Sequence, residues 1–431
     1  MKNQSKKLYS LAVEIFPICR SITGDGVRKT LSILKKIIPN LLIHEISTDS
    51  QCFDWNIPEE WNVEEAYIET LQGHKVVDFK ENNLHLVGYS VPVDKIISKE
   101  ELELHLHSRS DLPDAIPYIT SYYKRTWGFC IAHNLRNLLQ DHKYRIKISS
   151  SLKRGSMTYA DLIIPGKSDK EILFSTYICH PSMGNNEVSG IVVTTELARY
   201  VSSLSQRRYT YRFVFVPETI GAIAYISKNL DRLRSKVIAG FVVTCVGDNR
   251  SYSLLNSKNG VTLPDRIARH VFKFILKVDY QEYSYLDRGS DERQYSSPGV
   301  NLPVVSVMRS KYGTYPEYHT SLDDLNLISP EGLNGGYLAN RFCIEVLEEN
   351  KIYKALKICE PFLSPRGLRP PLVDGARLET WSKQLSDILA YADGELDLLE
   401  IANILGVSML DLLPQVKLLL EHGLLRQIDS F

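Results

Sequence analysis

Four apolar runs dominate the second half of this chain: "EILFSTYICH" (171–180), "YTYRFVFVPE" (209–218), "VIAGFVVTCVGD" (237–248) and "VNLPVVSVMR" (300–309). None alternates apolar with polar residues along its whole length, as a strand with one wet face would. A strand that is apolar on both faces has to be covered on both, which is the condition of a parallel sheet. Stretches of helical length and pattern follow or separate them: "SGIVVTTELARYVSSLSQ", "TIGAIAYISKNL", "TLPDRIARHVFKFILK" and "GLNGGYLANRFCIEVLEEN". Strand and helix in alternation specify βαβ units. The expected fold class is therefore α/β, with a mostly parallel mixed sheet flanked by helices.

At 431 residues the chain exceeds what one hydrophobic core usually holds. "KKLYSLAVEIFPIC" and "DGVRKTLSILKKIIP" read as two helices, and "LLIHEIST" as a strand that joins the sheet. The texture then changes to short β-type segments and an aromatic, Pro-containing loop, "PYITSYYKRTWGFC". "YRIKISSSL" and "MTYADLIIPG" read as a hairpin. These patterns assign residues 1–48 and 126–355 to the α/β domain and 49–125 to a small β-rich insertion. A Pro-rich linker, "CEPFLSPRGLRPPL", precedes a winged helix-turn-helix domain at 370–431.

Lys plus Arg balances Asp plus Glu at 51 each, so no global field draws the chain to nucleic acid or an anionic membrane. Between Ala376 and Phe431, four basic residues face nine acidic ones, a sign that repels phosphate. That unit is read as a contact surface for a protein partner or a second copy of the chain. No apolar stretch approaches the roughly 18 residues that span a bilayer. The basic, then apolar start reaches Pro17 and Arg20 too soon for a signal segment. Seven cysteines without a CxxC pair indicate a reduced, cytoplasmic protein.

Polar groups stand just past the apolar runs. They are His180 with Asn185, Asn186 and Glu187; Glu218; Asp248; and His319 in "YPEYHTSLDD". The carboxyl ends of parallel strands converge on one crevice. Two imidazoles with carboxylates make the N/O donor set of a catalytic zinc site. In "RGSDERQYSSPG", Arg293 offers a fork for a carboxylate or phosphate, and Asp291 or Glu292 offers an anchor for an amine. Tyr312 and Tyr315 are candidate oxyanion donors or packing residues. His105 and His107 lack a nearby carboxylate or thiolate partner and read as structural.

Taken together these motifs resemble the co-catalytic zinc aminopeptidases, the group of bacterial leucyl aminopeptidases and glutamate carboxypeptidase. "GNNEVSG" resembles their bridging loop, "PETIGAIAY" their Glu-Glu segment and "YHTSLDDLNLIS" their final ligand loop. The chain is more similar still to aminopeptidase-like proteins often found with polysaccharide-biosynthesis genes, which carry an inserted domain and a C-terminal winged helix. The resemblance implies that His180 and His319 are metal ligands and that Asn186 stands at the bridging aspartate. It leaves Glu218 alone of two glutamates, flanked by Thr219, as general base or ligand. Thr244 takes the place of a third carboxylate, with Asp248 the nearest substitute. Ser182 stands where an aspartate orients the first histidine, so that partner is expected to be missing.

With so few carboxylates to neutralise four positive charges, one zinc is expected, two being the alternative. His180, His319 and a carboxylate would hold it; Glu218, Arg293 and Tyr315 would serve catalysis. The implied activity is zinc-dependent, aminopeptidase-like hydrolysis of an amide in a small peptide or an amino-acid or sugar conjugate. The alternative is a degenerate binding or scaffold protein on the same fold.

Overall fold

The computed structural model describes residues 2–368 and 375–428. Residues 369–372 of the expected linker, and both ends of the expected 370–431 domain, lie outside the described residues. The chain forms two compact units, one of residues 1–264 and 281–338, the other of 265–280 and 339–431.

The first unit is built on an eight-stranded mixed sheet. Its order is Leu42–Ser47, Ser156–Ile164, Thr210–Val216, Glu171–Tyr177, Val237–Val242, Val304–Met308, Ser253–Leu255, Gln281–Tyr283. The four strands from Thr210–Val216 to Val304–Met308 are parallel and central. Every residue of Glu171–Tyr177 and Thr210–Val216 is buried: the apolar ones as a strand covered on both faces requires, Glu171 and Arg212 as an ion pair at 2.7 Å. Phe174 stacks between Phe213 and Phe241, with ring centroids 5.4 and 4.9 Å away. Burying each such ring contributes roughly 2–3 kcal/mol. Helix Ser189–Ser203 leads from Glu171–Tyr177 to its neighbour Thr210–Val216, and Ile220–Lys236 carries the chain past Glu171–Tyr177 to Val237–Val242 on its other side.

Two departures from the sequence reading concern the insertion. Strand Lys143–Lys153 does not form a hairpin with Ser156–Ile164. It joins a separate four-stranded sheet, in the order Lys75–Asp78, Glu60–Thr70, Lys143–Lys153, Val93–Ser98. Both strands have strand periodicity, but pairing partners are set by which apolar faces can be buried together, and sequence adjacency does not decide that. The inserted sheet thus draws on residues well beyond 125. Its buried side chains, Trp61, Ile68 and Ile146 among them, are continuous with Leu173 and Val214 of the main sheet.

The second unit has helices Gly375–Tyr391, Leu398–Leu405 and Leu413–Glu421 and a three-stranded sheet, in the order Asp393–Asp397, Ile352–Ala355, Leu425–Ile428. Its central strand therefore comes from residues upstream of position 370. Residues 265–280 also belong here: Arg266 pairs with Asp397 at 2.7 Å, and His270 bridges Asn403 and the Met409 amide. Among the described residues no single helix is long and apolar enough to cross a membrane.

Candidate metal centre

His180 leaves the end of strand Glu171–Tyr177, and the loop after it closes through a π-helical turn, Gly184–Val188, into helix Ser189–Ser203. Such turns are common where backbone is shaped for function. The loop carrying His319 is tied to this turn by one carboxylate. Asp323 accepts from the amides of Asn185 and Asn186, and its own carbonyl accepts from Gly184 at 2.7 Å. Burial pushes the Asp323 carboxyl up to about 6 despite these bonds.

The same loop is held from the insertion. Ile116 and Ser321 bond reciprocally, and the Tyr118 amide donates to the His319 carbonyl at 2.9 Å. The Tyr118 ring is thereby set against both imidazoles, 5.1 Å from His180 and 5.2 Å from His319. The two histidines, 139 positions apart in sequence, have ring centroids 5.4 Å apart.

Glu187 is the orienting partner that the sequence reading held to be missing. Its Oε2 lies 2.8 Å from His180 Nδ1 and also accepts from the amides of Cys179 and His180, while Oε1 meets Arg20 Nε at 2.6 Å. A carboxylate on Nδ1 fixes the tautomer and turns the Nε2 lone pair outward. Burial alone would lower the His180 pKa; the charge of Glu187 outweighs it and raises the value. Ser182 instead donates to the Phe16 carbonyl. The register misled: the partner lies seven residues after the histidine, not two.

His180 Nε2 faces Glu218 Oε2 at 3.7 Å. Glu218 is partly open, in a cleft of about 350 Å³ lined also by Trp55, Tyr122, Tyr123, Thr219 and Arg293. Burial raises its carboxyl, opposed by His180 and Arg293. Thr219 follows at φ +63°, strained for a β-branched residue. Asp291 accepts from its amide at 2.8 Å, and Arg293 donates to its hydroxyl at 2.5 Å. Buried polar atoms without a partner crowd here: Ser290 Oγ, Asp291 Oδ2, Glu292 Oε2, Arg293 Nε and His319 Nε2. Buried polar groups are rarely left unpaired, so this concentration marks a place where ordered water or a ligand completes the bonding.

Other expected site residues are engaged elsewhere. The Asp248 carboxylate takes bonds from Asn185, the Arg250 amide, and the amide and hydroxyl of Ser310, which leaves no oxygen for a metal. The Tyr315 hydroxyl donates to Asp323 at 2.9 Å, and Tyr312 donates to Glu292 at 2.6 Å, so neither is a free oxyanion donor. Asn186 Oδ1 accepts from Tyr177 at 2.7 Å. His105 stacks on Trp127 and bonds its carbonyl, away from any carboxylate pair. Sequence reasoning missed Arg20, Tyr118 and Tyr177. An arginine inside the apolar "FPICRSI" was the legible sign of a buried ion pair; nothing local marked the tyrosines.

Do these donors suit zinc? Two imidazoles on one zinc place their centroids roughly 5 Å apart, close to what is seen. His319 Nε2 is buried without a partner, and burial, with repulsion from His180, lowers its pKa to about 3, so its lone pair is available. Among the described residues, the group of at least three His, Cys, Asp or Glu side chains whose ligand atoms lie within 4.8 Å of one another is Cys179, His180 and Glu187. In that group Glu187 is saturated by Arg20 and amides, and burial holds the Cys179 thiol well above its ordinary value. It is a hydrogen-bonded knot, and the open donors are His180 Nε2, His319 Nε2 and Glu218. They are of the N/O type that zinc takes, but among the described residues their ligand atoms do not all lie within 4.8 Å of one another.

A family model describing a domain of unknown function, DUF4910, matches residues 9–350, and a winged helix-turn-helix model matches 351–427. A Clostridium acetobutylicum protein, provisionally named for polysaccharide biosynthesis and an aminopeptidase-like domain, is 44% identical over 397 residues, 92% of this chain and 90% of that protein. A crystal structure from Clostridium acetobutylicum, provisionally described as a peptidase, is 41% identical with a TM-score of 0.92, covering 99% of this chain and 98% of that one. A zinc aminopeptidase from Bacillus subtilis shares the fold at 14% identity, with a TM-score of 0.57 over 80% of this chain and 95% of its own.

Proposed function

Because the chain belongs to the DUF4910 family of aminopeptidase-like proteins with a C-terminal winged helix, we propose that it is a zinc-dependent hydrolase of an amide bond. The observations that carry this reading are the His180 and His319 rings 5.4 Å apart, His180 Nε2 3.7 Å from Glu218 Oε2, and buried polar atoms without partners on the neighbouring 290–293 stretch and His319. His180 and His319 would hold the ion. Zinc, when bound, supplies a Lewis acid that polarises an amide carbonyl and acidifies water.

This chain's own groups do the rest. Glu218, raised by burial and 3.7 Å from His180 Nε2, takes the proton from water and returns it to the leaving amine. Arg293, with its buried Nε free, orients an anionic or carbonyl oxygen of the substrate in the cleft. Tyr118 covers both imidazoles and keeps bulk water from them. A cleft of about 350 Å³ walled by Trp55, Tyr122 and Tyr123 suits a small peptide or an amino-acid or sugar conjugate. The winged-helix unit, acidic by composition, serves contact with a protein or a second copy.

The rival reading, a binding protein that has lost catalysis, is favoured by one observation: Asn186, Thr219 and Thr244 stand where carboxylates are expected. Zinc-reconstituted protein assayed on aminoacyl nitroanilides and N-acyl amino sugars, with and without chelator, separates the two. Chelator-sensitive cleavage that Glu218→Gln abolishes supports the hydrolase. Zinc far below one per chain, with no amide cleaved, leaves only the binding protein.

A further inference from the structure

The Tyr177 hydroxyl lies 2.7 Å from Asn186 Oδ1 and 2.6 Å from Thr244 Oγ1, and all three residues are buried. Thr244 Oγ1 donates to the Asn186 carbonyl at 2.7 Å. The phenol also lies 2.7 Å from the Asn186 carbonyl, so its one proton goes to that oxygen or to Oδ1. Two hydroxyl protons and the oxygens around them close a neutral knot, and the point on which the oxygens converge is filled by the phenol. Zinc needs oxygens about 2.0–2.2 Å from its centre, and a divalent ion there would have to expel the hydroxyl.

The loops gain nothing from a cation at this place. Asp323 already binds the amides of Asn185 and Asn186 and the Tyr315 hydroxyl, so the turn at 184–188 and the 319–323 loop are joined without one. Asn186 and Thr244 are also the positions at which the zinc aminopeptidase pattern would put carboxylates.

We infer that Tyr177 holds, by hydrogen bonds, the place where a second divalent cation would bridge the His180 loop and Thr244, so that the chain takes at most one zinc-class ion. The single ion rests on the function proposed above; the exclusion of a second rests on the Tyr177 knot alone.

The test is metal content by mass spectrometry of the full chain, reconstituted with zinc chloride and freed of excess by gel filtration. One zinc per chain is expected in the natural protein, and two in a folded Tyr177→Phe/Asn186→Asp/Thr244→Asp variant. Two in the natural protein overturns the inference whether or not the variant folds. A folded variant with no more zinc than the natural protein also overturns it. None in the natural protein but one in the variant upholds the exclusion and sinks the hydrolase.

Discussion

Arg20 Nε lies 2.6 Å from Glu187 Oε1, and neither side chain is exposed. The arginine also donates to the carbonyls of Ile15 and His180, so the turn after the first helix is tied to the loop that presents the imidazole. Removing one member of a buried pair leaves an uncompensated charge, at a cost of about 3–5 kcal/mol. Arg20→Met should lower the melting temperature by several degrees, and Arg20→Met/Glu187→Gln, which removes the unpaired charge and keeps an oxygen for the Cys179 and His180 amides, should recover part of the loss. Equal melting of the single variant and the natural protein would show that the pair does not bear on stability.

Asp323 gives a pH signature. Its carboxyl is raised from 3.8 to about 6 in the folded chain, so the folded form holds its proton where the unfolded form has released it. The stabilising contribution is full below 3.8 and is lost as pH rises towards 6. The melting temperature of the natural protein should therefore fall relative to Asp323→Asn across that window. A difference between the two that stays constant from pH 4 to 6.5 would contradict the assignment.

Glu218 can be tested as a base apart from any role in holding metal. Glu218→Gln keeps the shape and removes the proton acceptor, and general-base contributions are typically 10²–10⁴-fold. Turnover should fall by that order with zinc content unchanged. Loss of zinc in parallel would make Glu218 a ligand instead.

Thr219, at φ +63°, carries a backbone conformation that glycine adopts freely. Non-glycine strain of this kind costs on the order of 1–3 kcal/mol. Thr219→Gly should melt no lower than the natural protein, yet lose activity because Arg293 no longer meets a hydroxyl. A lower melting point would mean that the side chain, not the strain, dominates.

The α/β class was legible because two-sided burial writes itself into a strand, as in "EILFSTYICH", without help from the rest of the fold. That His180 comes near both Glu218 and His319 was legible because each stands where an apolar run stops or a loop returns to the sheet. Asp248 misled for the same reason: it too follows a strand, yet Asn185 and Ser310 occupy its oxygens. What surrounds the histidines was hidden. Glu187, Arg20 and Tyr118 act through contacts between residues up to 201 positions apart, from Tyr118 to His319. No local period encodes such pairs. The inserted sheet escaped for a related reason, since its strand Lys143–Lys153 lies beyond the apparent end of the insertion.

The bonds between residues 116–118 and 319–321 carry a consequence for anyone trimming the molecule to a smaller chain. Excising the stretch from 49 to 125 would cut away a roof along with an ornament: the last histidine would lose the backbone splint that fixes its direction. Appendage and pocket therefore have to be transplanted, shortened or redesigned together.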